Sequence, residues 1–326
     1  MGENALTFGT GLPAPEIGYH PNVPMDLYRQ WDCCSNGRLQ EIKRSPAHLR
    51  ASVLNGRKET DALRFGSAAH MAILEPELFS VRYVAKTRCA AFTGKDERCR
   101  SIGSVLLASG DIVCRTHLRD HPINEVVTLL SEEDHKACQE MRAALARKRR
   151  AANLVGAAGA FELSIVWDEQ VEVRLPEGEV VEVPVRMKGR IDHYSPDLER
   201  GTLLDVKTTA DASEESFTRA IYAYGYHIQG GLYMRGAKAL GLPATHYTIL
   251  AAEKEPPFEV GVFRLTEGAL DAGEQTAMKL LALYARCKHL NDWPGFPDRV
   301  RDISLPEWAW RATDDELQRL EEAWGL

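Results

Sequence analysis

The sequence has no apolar run approaching the roughly 20 residues that a membrane-spanning helix needs, so no spanning segment is expected. It contains no internal repeat and no low-complexity tract, which excludes a solenoid or a fibrous chain. The stretch MGENALTFGTGLPAPEIGYHP lacks a basic region followed by an apolar one, so no secretory signal is read there and a cytoplasmic setting is the expectation. An excess of positive charge is missing too, because the formal net charge is −7. A uniformly basic surface for nucleic acid is therefore excluded, and contact with a polyanion would have to use local patches. The seven cysteines are an odd number, which does not fit a disulfide framework.

Two local basic patches exist. One carries Lys43, Arg44, Arg50, Arg57, Lys58 and Arg64; the other carries Arg142, Arg147, Lys148, Arg149 and Arg150. Either one by itself also reads as a solvated helix face. Residues 1–24, rich in Gly and Pro, read as an irregular arm. Residues 25–80 read as helical, with a stop at Pro76 and with Leu63, Ala68 or Ala69, and Ile73 or Leu74 on one side. Residues 86–121 read as a small Cys- and Gly-punctuated insert, and 131–154 as a helix capped by Ser131. From Phe161 to Lys207 the pattern turns to strands: ELSIVW and QVEVRL as a hairpin joined by DE, then EVVEVPVRMKGRIDHY and GTLLDVKTT. A long helix follows from Asp211 or Ser213 to about Leu240, then the strands THYTILAAE and FEVGVFRL, a helix over 267–290, and a tail with Trp308, Trp310 and a short acidic helix. This order predicts one α/β domain around a central sheet, over 25–85 and 122–300, with the insert at 86–121 and the tail at 301–326.

Within the strand region, Asp192 ends one apolar run, and Asp205 and Lys207 lie in the next. Alternate side chains of a strand share a face, so Asp205 and Lys207 point one way while Leu204 and Val206 point the other. If the two strands are neighbours, Asp192 and Asp205 converge. Two close carboxylates repel unless a cation holds them, and Mg²⁺, a hard ion bound by carboxylates plus a phosphate, suits them. The lysine could orient or help deprotonate a water and offset charge on a phosphate. The plain alternative is a surface Asp–Lys pair in an ordinary hairpin. On the following helix, Tyr222, Tyr226, Gln229 and Tyr233 fall on one stripe beside the apolar Phe217, Ile221, Tyr224, Ile228 and Leu232. Gln229 stands out there, because its amide needs partners.

Asp192, the DVK at 205–207 and the QGGLY at 229–233 resemble the PD-(D/E)XK nuclease superfamily, in the branch with a Q-x-x-x-Y helix. RFGSAAHMAILEPELF resembles the G-x-x-x-H segment of RecB-like and RecE-like members. IKRSPAHLRA and YGYHIQGGLYM are most similar to the exonuclease VIII (RecE-type) family of phage recombination nucleases. The similarity runs over roughly residues 25–290, apart from the insert. It implies a restriction-endonuclease-like core, a central mixed sheet flanked by helices, and catalysis with Mg²⁺ or Mn²⁺. Asp192 and Asp205 would bind the metal with the Val206 carbonyl, and Lys207 would be the catalytic lysine. His70 would lie near the metal, Glu162 in AFELSIVW would match an upstream glutamate, and Gln229 and Tyr233 would position DNA or active-site groups. The implied activity is a 5′→3′ exonuclease on double-stranded DNA ends, with a single-strand annealing protein as partner and a ring-shaped homo-oligomer as assembly. A structure-selective or restriction-type endonuclease, or a non-catalytic DNA-binding subunit, are the rival readings.

The insert places Cys89, Cys99, Cys114 and His117, the last two as C-x-x-H. Three thiolates and an imidazole suit tetrahedral, structural Zn²⁺, which can staple a segment with little core, and the segment resembles small zinc-binding modules. His121 is a spare ligand. Relatives that hold an iron–sulfur cluster carry three late cysteines, whereas only Cys287 is late here. Cys33, Cys34, Cys138 and Cys287 read as plain thiols. Arg88, Lys95, Arg98, Arg100, Arg115 and Arg119 make the insert basic, which suits either phosphate contact or solubility.

Overall fold

The computed structural model describes residues 12–56, 60–92, 97–118, 122–123 and 127–324. In chain order the elements begin with β1 (Gly18–His20), α1 (Met25–Gln30), β2 (Cys34–Ser35), α2 (Asn36–Arg44), α3 (Pro46–Asn55), α4 (Asp61–Leu74) and α5 (Pro76–Arg82). The insert lies between β3 (Tyr83–Ala85) and β6 (Thr128–Leu130), which pair in parallel, and contains the small hairpin β4 (Val105–Leu106) and β5 (Ile112–Val113). Then come α6 (Glu132–Arg147), α7 (Arg149–Gly156), β7 (Ala160–Arg174), β8 (Val180–Ser195), β9 (Thr202–Thr209), α8 (Glu214–Ala223) and α9 (Tyr226–Ala239). The main unit closes with β10 (His246–Glu253), β11 (Val260–Arg264) and α10 (Glu267–Leu290). Residues 294–326 form a separate unit that contains α11 (Glu307–Trp324). Among the described residues no helix is long and apolar enough to cross a membrane.

The main sheet has the order β1-β7-β8-β9-β10-β11, with β2 also on β8. All neighbours are antiparallel except the parallel pairs β9–β10 and β2–β8. Strand alternation sorts side chains to two layers. Leu203 joins a core with α2, α3, α8, α9 and α10, while Leu204 and Val206 join a second core with α4, α6 and α7 on the other face. This is the expected mixed sheet flanked by helices.

One feature of the sheet creates the site. β7 occupies one edge of β8 along its length. The other edge is shared: β2 pairs at Met187 and Lys188, and β9 pairs from His193 to Ser195. Between them, Gly189–Asp192 faces a gap. Backbone donors bordering such a gap must find partners other than a ladder.

Several sequence expectations change in detail. ELSIVW and QVEVRL do not form a hairpin, because β7 runs unbroken through Asp168 and Glu169. Their charges are satisfied in place: Asp168 pairs with Arg186 across the strand, and Glu169 accepts from Trp167 Nε1 and from Arg235. The turn between β7 and β8 is the PEGE stretch read from the sequence, closed at Leu175–Glu179, where Gly178 takes φ +95°. Part of the irregular arm, Gly18–His20, adds to the sheet on β7. Helix α4 stops at Leu74, just before Pro76 as expected, and Pro76 opens a further helix, α5; Leu63 is exposed rather than buried. The helix of 131–154 breaks at Lys148, whose backbone is extended. The helix expected to run to Leu240 breaks at Tyr224–Gly225. Gly225 adopts φ +70°, and the Gln40 side chain lies 2.6 Å from where a Cβ would stand, so this corner requires glycine. The break splits the predicted stripe: Tyr222 sits on α8, while Tyr226, Gln229 and Tyr233 stay on α9. Tyr224 is exposed rather than part of the apolar face. Arg57, Lys58, Lys95, Arg119 and His121 lie outside the described residues.

Helices α9 and α10 cross with their backbones in contact. A Cβ on Gly231 would stand 2.3 Å from the Glu274 nitrogen, and one on Gly273 would stand 1.9 Å from the His227 carbonyl oxygen. Neither obstacle is a side chain that could swing aside. Gly273→Ala is therefore expected to cost about 2–3 kcal/mol, read as a lower urea midpoint with an unchanged slope. Wild-type stability in that variant would contradict the crossing.

Candidate active site and metal centre

The gap in the sheet is bridged by side chains. Val206 N–H, at the start of the unladdered stretch of β9, donates to Asp192 Oδ2 at 2.7 Å. N–H and C=O of one strand residue leave on the same edge, so the Val206 carbonyl also faces β8. Across the gap, the Arg190 amide donates to Tyr233 Oη at 3.3 Å, which ties α9 to β8. Val206 N–H thus ties β9 to Asp192, and Asp205 lies close enough for its charge to act on the Asp192 carboxyl. Lys207 Nζ lies 2.6 Å from Asp205 Oδ2, on the same face. Gln229 Nε2 donates to Asp205 Oδ1 at 2.9 Å, giving the amide its partner. The Tyr226 ring lies 5.1 Å beneath the Lys207 ammonium.

A second set of groups stands on the other side of Asp192. His70 of α4, Glu162 of β7 and Asp192 present ligand atoms that all lie within 4.8 Å of one another, with His70 Nδ1 3.4 Å from Asp192 Oδ2. Asp205 is outside that trio and is held by Lys207 and Gln229. Glu162, the third residue of β7, has φ +50°. A left-handed non-glycine residue costs on the order of 1 kcal/mol, and such strain persists where surrounding contacts demand it. Here the contact is Arg190, whose Nε pairs with the Glu162 carboxylate while its Nη1 donates to the Val23 carbonyl at 2.8 Å and to Ser164 Oγ at 3.3 Å.

Burial pushes the Asp192 carboxyl up to about 7, with the Asp205 charge adding to it and His70 opposing. For Lys207, burial alone would lower the ammonium, but the Asp205 and Asp192 carboxylates outweigh it, so Lys207 is held protonated. Burial raises the Tyr233 hydroxyl to about 12. The Tyr247 hydroxyl on β10 is raised well above the tyrosine range, by burial first and by Asp205 second. A buried Asp192 carboxyl that resists its negative charge, next to the His70 imidazole and the Glu162 carboxylate, is a donor set that fits a divalent cation.

The insert gathers its own cluster. Cys89, Cys99, Cys114 and His117 bring their ligand atoms within 4.8 Å of one another. His117 Nδ1 is 3.5 Å from Cys89 Sγ and 3.3 Å from Cys114 Sγ, and the Cys114 amide donates to Cys89 Sγ at 3.3 Å. Burial pushes the Cys114 thiol up, but hydrogen bonds from His117 and Cys89 outweigh it and bring it down to about 6. The apolar residues around this cluster, such as Leu107, Val113 and Leu118, form a small core of their own. Cys33, Cys34, Cys138 and Cys287 are buried and free.

Sequence reasoning did not single out Arg190 or Tyr247. Arg190 had a signal, since it lies two residues before Asp192 on the same strand face. Tyr247 had none, because only the parallel pairing of β10 with β9 sets it near Asp205.

The Asp192 shift fixes the sign of a pH effect. An aspartate in an unfolded chain ionises near pH ~4, whereas Asp192 keeps its proton to about 7 when folded. Between those values unfolding releases a proton, so stability falls as pH rises through that window. Asp192→Asn keeps an oxygen for Val206 N–H and removes the slope. In metal-free buffer the variant is expected to gain stability over wild type at pH 8 and to differ little at pH 4. A pH-independent difference in denaturation midpoint would contradict the assignment.

The family model described as a PDDEXK-like domain of unknown function (DUF3799) matches residues 35–301. Among solved structures, the "Putative exonuclease" from Eubacterium rectale is similar with a TM-score of 0.51 at 15% identity, over 86% of this chain and 93% of that one. Identity that low shows a shared fold alone. The structure of SSO0001 matches with a TM-score of 0.24 at 12% identity, over 43% of this chain and 57% of that one, too weak to support any argument. No curated protein matches the sequence. The family model spans most of the chain, and the gap with Asp192, Asp205 and Lys207 falls inside the matched range. The chain therefore belongs to the PDDEXK-like DUF3799 family and carries the nuclease fold of that superfamily.

Proposed function

We propose that this protein is a Mg²⁺- or Mn²⁺-dependent deoxyribonuclease that hydrolyses phosphodiester bonds at the gap between β8 and β9. The observation that carries this reading is the buried Asp192, bonded to Val206 N–H beside His70 and Glu162, with the Asp205–Lys207 pair on the adjoining strand. The metal would be held by Asp192 and Asp205 with the Val206 carbonyl, His70 and Glu162 about it. When bound it would polarise the phosphate and make a water more acidic. Water adds to phosphorus, the bond to one ester oxygen breaks, and that oxygen leaves with a proton.

The chain's own residues supply the rest. Lys207, kept as an ammonium, sets positive charge where the phosphate develops negative charge. Gln229 holds Asp205 in one orientation through its amide. Tyr233 fixes the edge of β8, and Arg190 fixes the direction of Glu162. His70 lies against Asp192 and favours its ionised form. Releasing the Asp192 proton accompanies metal uptake, so metal affinity rises with pH.

The RecE-type resemblance extends this proposal to a 5′→3′ exonuclease on duplex ends, in phage-type recombination. The annealing partner and the ring-shaped assembly rest on that resemblance alone. A structure-selective or restriction-type endonuclease is the second reading. A covalently closed circular duplex separates the two, since an exonuclease leaves it intact. We further propose that the Cys89, Cys99, Cys114 and His117 cluster holds a structural Zn²⁺, because four protein ligands complete a tetrahedron and leave no open position.

Lys207→Ala is expected to lower Mg²⁺-dependent cleavage of end-labelled linear duplex by about 100- to 1,000-fold, while DNA binding stays within a few-fold of wild type. Unchanged cleavage would reject the mechanism. The purified protein is expected to carry one equivalent of zinc by elemental analysis. Stripping it should open the 86–118 segment to protease while Asp192-dependent cleavage still requires Mg²⁺, and a zinc-free protein with the same protease pattern would reject the zinc assignment.

A further inference from the structure

The corner between α8 and α9 exposes aromatic rings where nothing in the fold needs them. Tyr222 is 77% exposed and Tyr224 is 66% exposed, although both lie within a segment whose apolar residues otherwise enter the core. At the corner Gly225 takes a left-handed conformation, and the two rings beside it face solvent. They are not isolated. Tyr222 stacks on His227 with centroids 5.9 Å apart, and Tyr224 lies against Tyr226 at 5.7 Å. Tyr226 in turn packs beneath Lys207. A continuous aromatic path therefore leads from solvent to the ammonium beside Asp205. Helix α2 reaches this corner through Gln40 and carries two exposed cations. Gln40 touches Gly225, and Lys43 and Arg44, one helical turn further along the same side of α2, are exposed.

Exposed tyrosines scattered singly need no explanation. A pair in tandem, backed by a second layer of rings and joined to a lysine of the cleavage site, is what a nucleic-acid strand would use. Bases stack on aromatic faces whatever their sequence, and neighbouring cations take the phosphates. We propose that Tyr222 and Tyr224 form a stacking platform for unpaired bases of the strand whose backbone passes Lys207, so that the protein grips a single-stranded segment next to the bond it cuts. This deepens the nuclease reading and rests on it for the location of the scissile phosphate. The platform is sequence-tolerant and reads unstacked bases, so it favours frayed or resected ends over fully paired duplex.

The test uses the full chain in EDTA, where metal-dependent cutting is absent. A twelve-nucleotide single-stranded DNA carrying 2-aminopurine at each position in turn is titrated with wild type, Tyr224→Ala, Tyr222→Ala and Tyr224→Phe. Wild type is expected to quench the fluorescence at a limited set of positions. Each alanine variant is expected to bind roughly 5- to 100-fold more weakly and to lose that quenching, and Tyr224→Phe is expected to retain both. An abasic residue at the most quenched position should erase the difference between wild type and Tyr224→Ala. Equal binding and quenching in the alanine variants, an equal loss on the abasic strand, or no binding of the oligonucleotide by wild type would each overturn the platform. A protein that quenches in this pattern yet cuts nothing with Mg²⁺ would refute the nuclease reading and leave the platform standing; cutting without the pattern would do the reverse.

Discussion

The hydrogen bond from Val206 N–H to the Asp192 carboxylate is the interaction on which the site depends. A sheet closes its own backbone groups by laddering, and β8 and β9 do so only from His193 to Ser195. Beyond that point the strands part, and a side chain takes over a bond that the backbone would otherwise make. This bond holds β9 beside β8 at the point where their ladder ends, next to the Asp205–Lys207 pair. It also forces a carboxyl into a buried place, which raises its affinity for a proton that a metal would have to displace.

The surrounding structure holds this arrangement against its own preferences. Glu162 keeps a left-handed backbone at the third residue of β7 because Arg190 grips its carboxylate. The helix that carries Gln229 and Tyr233 is set by glycines, since Gly231 and Gly273 let α9 and α10 touch backbone to backbone. The reach of Gln229 to Asp205 is then a consequence of helix position rather than of side-chain choice alone. Strain and an ionisable group with a displaced proton affinity are concentrated at one place, which is where function is expected.

The zinc-type cluster follows a different logic. Its insert has only a small core around Leu107 and Val113, and the four ligand residues converge at its centre, as a metal-stapled segment requires. It leaves and rejoins the main unit through the paired strands β3 and β6, so its fold is local.

Much of this was legible in the sequence because the signals were local or periodic. Asp205, Val206 and Lys207 declare their faces by strand alternation, the helix over 267–290 was read to its full length, and C-x-x-H spacing announced two of the four thiol–imidazole ligands. Other features were not legible. Asp168 and Glu169 looked like a turn, because nothing local shows that Arg186 and Arg235 will neutralise them. The α8–α9 break at Gly225 falls inside a stretch whose residues otherwise read as one continuous helix. Arg190, Tyr247 and the gap in the β8 edge come from pairings between distant strands. The residue types, their faces and the family likeness were determined by the sequence, since they rest on spacing along one chain. Which charges meet, which backbone groups are left for side chains to satisfy, and which rings face solvent were decided only by the tertiary structure, because these depend on neighbours that spacing alone does not name.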